Sequence, residues 1–475
     1  MRQTLCNPAD STGSTPRKRS RVGWGLFLTF IVAPVVIVAT AGLVLGIAWN
    51  IREAQGRKAM QVELARLEDE KISTTCEGLS HSYGEQTTDE FAEDWEVLFH
   101  ALRSFEFEES KRGVPDFDPA LEVESFEENF DISAQWKDAE NSVRFVEDNQ
   151  KWITLARRLA SEPKPNRFPL VFQSIETKLQ EVQDTRTLAC MLRLDAQVAM
   201  HLHDSQRAFE DTVAMVELSK HVDAVPCAIS RVVGISFRKM ALEALQKAIA
   251  VDLYDDSKLH QLDQLFGKYT DIGHRWKTIM QDELSGLLPV FSDPDLGKKV
   301  KREIPARGHD AVYFIGLMRM AMAIPTDDWE ALYSGTIGLE NELRMSTKSK
   351  FKKFDIIMTS LLMPSLRGLA VALINEAQSI RQARMAIAIR LYQHEHGRLP
   401  SSLEMLPKST VSLRPYGELP FGYEASESRA VLWGFVFSES QRQTPQHVPD
   451  ISQENAESIN NRHVVWDLGV GQGDN

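Results

Sequence analysis

The longest uncharged stretch of this chain constrains its architecture more than any other feature. Residues 22–51 carry no charged side chain, and most of them are Leu, Ile, Val, Ala or Phe. About 20 apolar residues in a helix cross the hydrocarbon core of a bilayer, and a helix satisfies its own backbone hydrogen bonds where there is no water. Residues 22–49 are therefore predicted to form a transmembrane helix, with Trp24 and Trp49 at the level of the lipid headgroups.

Two other structures are compatible with an apolar stretch in this position. A cleaved signal peptide has an apolar core of about 7–15 residues followed by small residues at the cleavage site. The core of this chain is about twice as long, although Ala39-Thr40-Ala41 offers a weak cleavage site. A buried core helix seldom runs so far without a polar residue facing solvent. The pattern favours an uncleaved anchor.

Basic residues indicate how the anchor is oriented. The run RKRSR at 17–21 lies directly before it, and basic residues stay on the cytoplasmic side of a membrane. Arg52, Arg57 and Lys58 weaken the contrast on the other side, where they are mixed with acidic residues. Residues 1–21 are predicted to be a basic cytoplasmic tail. The chain is then a single-pass protein of a bacterial inner membrane, with its bulk in the periplasm.

Helical patterns dominate the chain after the anchor, which predicts a mainly α fold. Residues 50–75 are highly charged and helix-favouring, and we expect them to extend the anchor as a helical stalk. Residues 76–374 are predicted to form an α-helical domain. Its clearest part, residues 187–265, carries three apolar stripes that are typical of antiparallel helical hairpins. The stripes resemble those of tetratricopeptide repeats, but a strict period of about 34 residues is missing.

Three shorter segments complete the predicted helical domain. Residues 76–84 are polar and predict a break before a helix that begins after Thr88. Residues 133–160 are predicted to form one helix. Residues 356–373 are strongly apolar but interrupted by a proline and an arginine. Because their uncharged run is too short to cross a bilayer, they are predicted to be a buried helix.

Residues 375–475 differ in character and predict a small α+β region. A helix from Asn375 ends at Gly397, and Ser401 and Glu404 have the capping-box spacing that begins a one-turn helix. Three runs rich in aromatic and β-branched residues follow, and they predict an antiparallel sheet packed on the helix. These runs are residues 421–423, 431–437 and 464–466.

One segment of this region resembles a known family. Residues 386–407, AIAIRLYQHEHGRLPSSLEMLP, combine a helix, a glycine C-cap, a proline turn and a capped short helix. They resemble the AL-x-x-Y-x-x-x-x-G-x-x-P-x-x-L-x-x-L segment of type II secretion major-pseudopilin-like proteins. The segment is also similar to that of uncharacterised membrane-anchored helical proteins of planctomycetes. The resemblance implies a pseudopilin-like C-terminal region in an envelope protein.

The chain departs from the pseudopilin pattern in its length and in two turns. More than 300 residues separate the anchor from this segment, so a filament subunit is not expected. Residues 414–417, Arg-Pro-Tyr-Gly, replace the usual Asp-Pro-x-Gly turn. The Gly-Pro-Asp-Gly ending is replaced at residues 468–474, which leaves open whether any calcium site is kept.

Charge and motifs exclude several classes of function. A net charge of −13 disfavours nucleic acid as a partner, because phosphate binding needs a clustered basic surface. The basic patch at 348–353 is predicted to be a solvated loop. The glycines at 469–473 precede no helix, which excludes a dinucleotide fingerprint. Since no G-x-S-x-G, Walker or S-x-x-K motif is present, no catalytic residue is predicted.

Histidines and cysteines are the remaining candidates for chemistry. The pair His394 and His396 is two residues apart, whereas the H-E-x-x-H zinc motif needs one helical turn. This pair and the clusters at 201–204 and 309–310 are predicted to be exposed helix ends and turns, so neither metal nor cofactor is predicted. Cys190 and Cys227 lie on neighbouring predicted helices. A disulfide between them is the alternative to two small buried hydrophobic residues.

Together these observations predict a membrane-anchored envelope protein that acts as a non-enzymatic scaffold or binding module. The expected partners are the lipid bilayer, through residues 22–49, and another protein of the envelope. One alternative is an accessory component of a secretion or pilus-like system. Another is an envelope hydrolase whose site is assembled from residues distant in sequence.

Overall fold

The computed structural model of the 475-residue chain describes residues 33–104, 106–107, 110, 114, 136, 139–173, 177–292, 307–348, 356–363, 365–407, 421–426, 429–435 and 463–469. The described part is mainly helical with one small sheet, which confirms the predicted fold class at that level. The helices before residue 293 are α1 (Ala33–Asp69), α2 (Cys76–Gln86), α3 (Ala92–Leu102), α4 (Ala139–Asp148), α5 (Gln150–Ala160), α6 (Gln180–His201), α7 (Ser205–Asp223), α8 (Ala228–Ala250), α9 (Asp256–Gly267) and α10 (Ile272–Leu287). Those that follow are α11 (Arg307–Met322), α12 (Trp329–Lys348), α13 (Ile357–Leu362) and α14 (Leu366–His396), and the strands are β1 (Gly422–Ala425), β2 (Arg429–Phe435) and β3 (His463–Gly469).

Helix α1 changes character along its length. In its first half the protein leaves large apolar side chains uncovered: Val38, Leu43 and Leu45 are 73%, 65% and 70% exposed. In its second half Met60 and Leu67 are buried among the side chains of the protein. The helix is continuous through both halves, so the uncovered apolar part is rigidly joined to the packed part.

The packed half of α1 lies against α11. Arg319 of α11 binds Glu63 at 2.9 Å and Glu70 at 3.0 Å. Where the two helices cross, a Cβ added to Gly308 would lie 2.4 Å from the carbonyl carbon of Gly56. Such a distance is below any contact between carbon atoms, so the crossing requires glycine at both positions.

Two apolar clusters form the core. Cluster I joins α2 to α9, the second half of α14 and the sheet, and it contains Trp95, Phe237 and Trp466. Cluster II joins the second half of α1 to α10, α11, α12 and the first half of α14, and it contains Trp276 and Phe314. The three apolar stripes predicted over 187–265 are the buried faces of α6, α7 and α8, which pack on one another within cluster I.

Helix α14 belongs to both clusters. Its side chains from Leu366 to Ala377 pack in cluster II, and those from Ile380 to Tyr392 pack in cluster I. With 31 residues and a rise of about 1.5 Å per residue, it is about 46 Å long. The boundary predicted at 374/375 falls inside this helix. Among the described helices, the stretch Ile357–His396 is apolar and long enough to cross a membrane by composition, although 41% of its most apolar window is buried in the protein.

A polar layer separates the two clusters on α14. The fully buried Arg238 of α8 donates from Nε to Glu376 Oε1 at 2.5 Å and from Nη1 to Asp223 Oδ2 at 2.6 Å and Ser219 Oγ at 2.7 Å. Its guanidinium lies 4.3 Å from the ring centroid of Tyr269. Burial opposes its charge, but the two carboxylates outweigh burial and raise the pKa of Arg238 above its usual value.

A second arginine completes the polar layer from α10. Arg275 Nη2 lies 2.5 Å from Glu376 Oε2, and its Nη1 donates to the Tyr269 carbonyl oxygen at 3.2 Å. Glu376, whose side chain is 1% exposed, therefore has an arginine on each oxygen. The layer ties α7, α8, α10 and α14 together through charge-assisted hydrogen bonds.

The C-terminal sheet packs on α14 as predicted. Its three strands are antiparallel in the order β1-β2-β3, with Leu432 opposite Trp466. Leu432 and Trp466 are buried in cluster I, and Gln382 of α14 donates to the Leu432 carbonyl oxygen at 3.2 Å. The helix ends at Gly397, whose φ of +69° is the left-handed C-cap that favours glycine. The short helix that follows, Leu403–Met405, is a 3-10 turn.

Two local predictions are wrong. The polar break expected at 76–84 is helix α2, because Thr75 caps it by accepting from the Gly78 N–H at 3.0 Å and because Leu79 and Tyr83, one turn apart, are both buried. The single helix expected over 133–160 is divided in its described part into α4 and α5 at Asn149.

Candidate binding groove

A large cavity in the described part of the chain is a groove beside α3. It has a volume of about 1230 Å³ and lies between α3, the start of α5 and the extended segment 166–169. These walls are far apart in sequence and are brought together by the packing of α3 and α5 on α6 and α7. We call this cavity the α3 groove.

Aromatic side chains form the floor of the α3 groove. Trp95 and Phe99 are one turn apart on α3, and their ring centroids are 5.4 Å apart. Phe168 lies edge-on to Trp95 at 5.6 Å and to Phe99 at 5.7 Å. Edge-to-face arrangements at these distances are favourable, and the three rings, which are only 1–4% exposed, pack beneath the groove as part of the core.

A buried histidine supports this floor from behind. The ring centroid of His221 is 5.1 Å from that of Trp95, and its Nδ1 accepts the backbone N–H of Asn166 at 2.9 Å. Burial and the neighbouring Lys220 lower the pKa of His221 to about 3. The imidazole is therefore neutral, and its remaining proton on Nε2 faces the Ala160 carbonyl oxygen at 3.4 Å. His221 positions the segment 166–168 rather than acting on a ligand.

Two buried polar atoms of residues that line the groove have no hydrogen-bond partner among the described residues. They are the indole Nε1 of Trp95, a donor, and the amide Oδ1 of Asn166, an acceptor. Both residues line the groove and are almost fully buried. A buried polar atom without a partner costs about 1–3 kcal/mol. Both atoms are closed to solvent, and similar atoms, such as Trp466 Nε1 and Ser142 Oγ, lie elsewhere in the described part of the chain, so the two atoms do not by themselves mark a binding site.

Acidic residues outnumber basic ones around the α3 groove. Arg103 hydrogen-bonds Asp184, and Arg167 pairs with Asp89 at 3.1 Å. The ammonium of Lys151 lies 4.4 Å from the ring centroid of Trp152. The basic residues are thus engaged. The acidic residues that line the groove are Asp89, Glu93, Glu96, Glu106, Asp148 and Glu181.

The extended segment 166–172 separates this groove from a smaller one. The second cavity, of about 700 Å³, lies between α2 and residues 170–172, and Arg167 lines both cavities. Two features anchor the segment: the Phe168 N–H donates to Tyr83 Oη at 2.9 Å, and the Arg167 N–H donates to the Thr88 carbonyl oxygen at 2.7 Å.

The structure gives His394 partners that its sequence does not show. Its Nδ1 lies 2.5 Å from Asp256 Oδ1, and its Nε2 lies 2.7 Å from Asp252 Oδ1. Burial alone would lower the pKa of His394, but the two carboxylates outweigh it and raise the pKa above its usual value. His394 is exposed at the end of α14, as predicted, and it also forms an ionic link from α14 to the α8–α9 turn. His396 stacks on Tyr392 at 4.0 Å.

The expectation that His309 and Asp310 form a surface turn is wrong, because both residues lie in the first turn of α11. Asp310 is fully buried and caps α13: it accepts the Met358 N–H at 2.7 Å and the Thr359 N–H at 2.9 Å. His309 Nε2 lies 3.1 Å from the Arg52 carbonyl oxygen of α1. The cluster at 201–204 is a turn, as predicted, in which Asp204 caps α7 through the Arg207 N–H at 3.1 Å.

The remaining candidates do not form a site in the described residues. Cys227 Sγ lies 3.4 Å from Ser230 Oγ and forms no disulfide with the buried Cys190. Residues 349–353 and 470–475 lie outside the described residues. Within the described ranges no group of three His, Cys, Asp or Glu side chains is placed to hold a metal ion.

A buried ionic cluster on α5, α6 and α7 was not predicted. Arg157 Nε donates to Asp211 Oδ1 at 2.6 Å and its Nη2 to Asp195 Oδ2 at 2.5 Å, while Arg207 also pairs with Asp195. Burial and the charge of Asp195 raise the pKa of Asp211 well above its usual value. Both carboxylates are fully buried, so the cluster joins three helices and is closed to a substrate.

Comparison of the chain with protein-family models, with curated proteins and with solved structures finds no match. The resemblance of residues 386–407 to pseudopilin-like proteins therefore stays a prediction.

Proposed function

We propose that this chain is a membrane-anchored binding module, held in the bacterial inner membrane by its N-terminal apolar segment and presenting the α3 groove to a protein partner in the periplasm. The observation that carries the proposal is the uncovered apolar half of α1. Groups of large apolar side chains left open on one element mark a membrane or partner contact.

The geometry of α1 supports a membrane as that contact. Its uncovered apolar side chains lie along the helix from Val36 to Ile51, and residues 22–32 extend the uncharged run. Each fully buried apolar side chain contributes about 1.5–3 kcal/mol when it leaves water. A bilayer covers all sides of such a helix at once, whereas a protein partner covers one side.

The packing of the second half of α1 supports a module rather than a flexible tether. The Gly56–Gly308 crossing and the ion pairs of Arg319 fix α1 to cluster II. The body therefore keeps a constant orientation relative to the anchor. A fixed body with one large groove is suited to presenting a binding site at a set distance from the bilayer.

The proposal is tested by membrane extraction of the full chain expressed in bacteria. We expect the chain to stay in the membrane pellet after carbonate washing, and protease added to the periplasmic face to digest residues beyond 75. Replacing both Leu43 and Leu45 by arginine, at about 2.5–3.5 kcal/mol for each arginine near the centre of a span, releases the chain.

The matched control is Val62→Arg, at an apolar residue that is 61% exposed on the packed half of α1. This variant stays with the membrane because residue 62 lies beyond the span. Release of the unmodified chain by carbonate, or digestion beyond residue 75 from the cytoplasmic face only, defeats the proposal.

A further inference from the structure

We infer that the end of the folded body next to the anchor docks on the surface of an anionic bilayer. The docking surface consists of α13 and the last two turns of α12, residues 342–348, and we call it the α13 surface. The inference rests on the proposed function, because it takes α1 as the anchor. It depends on the level of the α13 surface along α1, on its exposed apolar side chains and on its charge.

Contacts between α1 and α11 fix the level of the body relative to the span. Gly308, in the first turn of α11, lies against Gly56 of α1. Arg319, near the other end of α11, binds Glu70 at 3.0 Å. The two helices therefore run in the same direction, and the first turn of α11 is the part of that helix nearest the apolar half of α1.

The α13 surface lies at the level of the first two turns of α11. Asp310 of α11 caps α13 by accepting the Met358 N–H at 2.7 Å. Tyr313 Oη, one turn further along α11, donates to Ser346 Oγ of α12 at 3.2 Å. Both parts of the α13 surface are thus joined to the stretch of α11 that lies closest to the span.

This level is close enough to the bilayer for contact. Gly56 lies seven residues beyond Trp49, which is about 10 Å along the helix axis, and each headgroup layer is about 5–8 Å thick. Because α11 packs between α1 and α13, α13 lies about 16–20 Å to the side of α1. A span tilted towards α13 by about 20°, the average for membrane helices, lowers α13 by roughly 6 Å and brings its side chains to the headgroups.

The α13 surface exposes large apolar side chains. Leu361 is 70% exposed, more than any other large apolar side chain that the structure describes outside α1, and Met345 is 59% exposed. Residues 357–362, IMTSLL, include no charged residue. Amphipathic elements bind a bilayer when their apolar side chains enter the boundary between headgroups and acyl chains. Single exposed apolar residues are common on protein surfaces, so the position of these two beside the span is what gives them a role.

The charge at this level is complementary to anionic headgroups. The exposed cations on residues 52–58 of α1 and 342–348 of α12 are Arg52, Arg57, Lys58, Arg344 and Lys348. The carboxylates of the same two stretches are Glu53, which pairs with Arg57 at 3.5 Å, and Glu342. The chain as a whole carries a net charge of −13, so these stretches form a basic end on an acidic protein. Cations at this distance from anionic lipids favour binding.

The test follows a fluorescent label on α13 in the full chain inserted into lipid nanodiscs. Ser360→Cys, at an exposed residue beside Leu361, carries the environment-sensitive dye NBD. Serine replaces Cys6, Cys76 and Cys227 in the labelled chain, and Cys190 is buried. Discs of phosphatidylcholine with and without phosphatidylglycerol are compared, and lipids that carry a nitroxide next to the headgroup quench a dye that touches them.

We expect the label at position 360 to emit at shorter wavelength, and to be quenched by the nitroxide lipids, in discs that contain phosphatidylglycerol. The matched control label is placed by Val97→Cys, at an apolar residue of α3 that is 54% exposed, and should show neither effect. The ratio of docked to undocked chains is taken from the quenched fraction of the label at position 360.

Two variants of the α13 surface should lower this ratio. Arg344→Gln with Lys348→Gln should lower it about thirtyfold, because each cation near an anionic surface contributes roughly a factor of five. Leu361→Gln should lower it at least about tenfold, since an apolar side chain no longer leaves water. The matched control is Lys239→Gln with Lys277→Gln, at exposed cations of α8 and α10 outside the α13 surface, and should leave the ratio unchanged.

Three results overturn the inference: equal emission and quenching of the labels at positions 360 and 97, equal docking in discs with and without phosphatidylglycerol, or unchanged docking in either variant of the α13 surface. Co-elution of the chain with the discs separates the inference from the proposed function. A chain that inserts but keeps the label at position 360 away from lipid defeats the inference alone. A chain that does not co-elute with the discs defeats the proposed function, and the inference with it.

Discussion

Removing the buried arginine of the polar layer tests how cluster I and cluster II are joined. In Arg238→Met an apolar side chain of similar length replaces the guanidinium. The change removes hydrogen bonds to Glu376 at 2.5 Å, Asp223 at 2.6 Å and Ser219 at 2.7 Å. Glu376 keeps Arg275 at 2.5 Å, whereas Asp223 loses the cation that faced it.

The structure sets the expected size of the effect. Breaking a buried ion pair by removing one partner costs about 3–5 kcal/mol. The Asp223 side chain is 16% exposed, so water compensates part of its lost contact, and Glu376 is still paired. We therefore expect a loss of about 3 kcal/mol in the free energy of unfolding, at the low end of that range. This is a large fraction of the roughly 5–15 kcal/mol of a typical domain.

Urea unfolding of the detergent-solubilised full chain, followed by circular dichroism, measures this loss. Glu376→Met alone should also destabilise the chain, and the double variant Arg238→Met with Glu376→Met should lose less than the sum of the two, with a coupling of about 1–3 kcal/mol. Arg344→Met, at an exposed residue of α12, is the control and should change stability by less than about 0.5 kcal/mol. A cost below about 1 kcal/mol for Arg238→Met, or additive single costs, would refute the assignment of a coupled layer.

Three further substitutions test other contacts by the same unfolding measurement. The pKa of His394 is raised in the folded chain. Its link to Asp252 and Asp256 therefore stabilises the fold fully below the ordinary pKa of about 6.5, and this stabilisation is lost as pH rises through the raised pKa. His394→Gln should abolish this pH dependence, and an unchanged pH profile would contradict the link. Asp310→Ala leaves two N–H groups of α13 uncapped and should cost about 1–3 kcal/mol, whereas a cost near zero would mean that α13 does not need its cap. Gly308→Leu forces α11 away from α1 and should cost about 1–3 kcal/mol and speed proteolysis between residues 52 and 69, so equal proteolysis rates would argue against the close crossing.

The elements that the sequence predicts well are those whose signal is local. The apolar stripes over 187–265 give α6, α7 and α8 because each repeats every turn over several turns. Gly397 predicts the end of α14 because glycine alone adopts its positive φ without strain. The strands at 422–425, 429–435 and 463–469 follow from β-branched and aromatic runs.

What the sequence does not predict is set by contacts between distant residues. Helix α2 has only two buried side chains, Leu79 and Tyr83, so its apolar period is too weak to detect. His394 looks like a solvated histidine because its two aspartate partners lie 138 and 142 residues away. Asp310 likewise acquires its role from α13, which lies 48 residues further along the chain.

The α3 groove was missed for the same reason. Trp95 and Phe99 fit the apolar period of α3 and predict core positions, and nothing in their spacing distinguishes a cavity wall from a packed interior. The opposite wall, at 166–169, has neither helical nor strand periodicity. Only the folded arrangement brings Asn166 beside the aromatic floor through its bond to His221.

A single helix shared by two hydrophobic cores has a consequence for cooperativity. Neither core can open by itself without unwinding roughly half of α14, so local melting on one side propagates to the other. Amide hydrogens near its midpoint, between Leu373 and Ala383, should exchange only through global opening and be among the slowest in the chain. A fragment that ends near residue 374 would keep only the first part of α14, Leu366 to Ile374, against cluster II. The described part of the chain is therefore expected to melt as one unit, although its interior is divided in two.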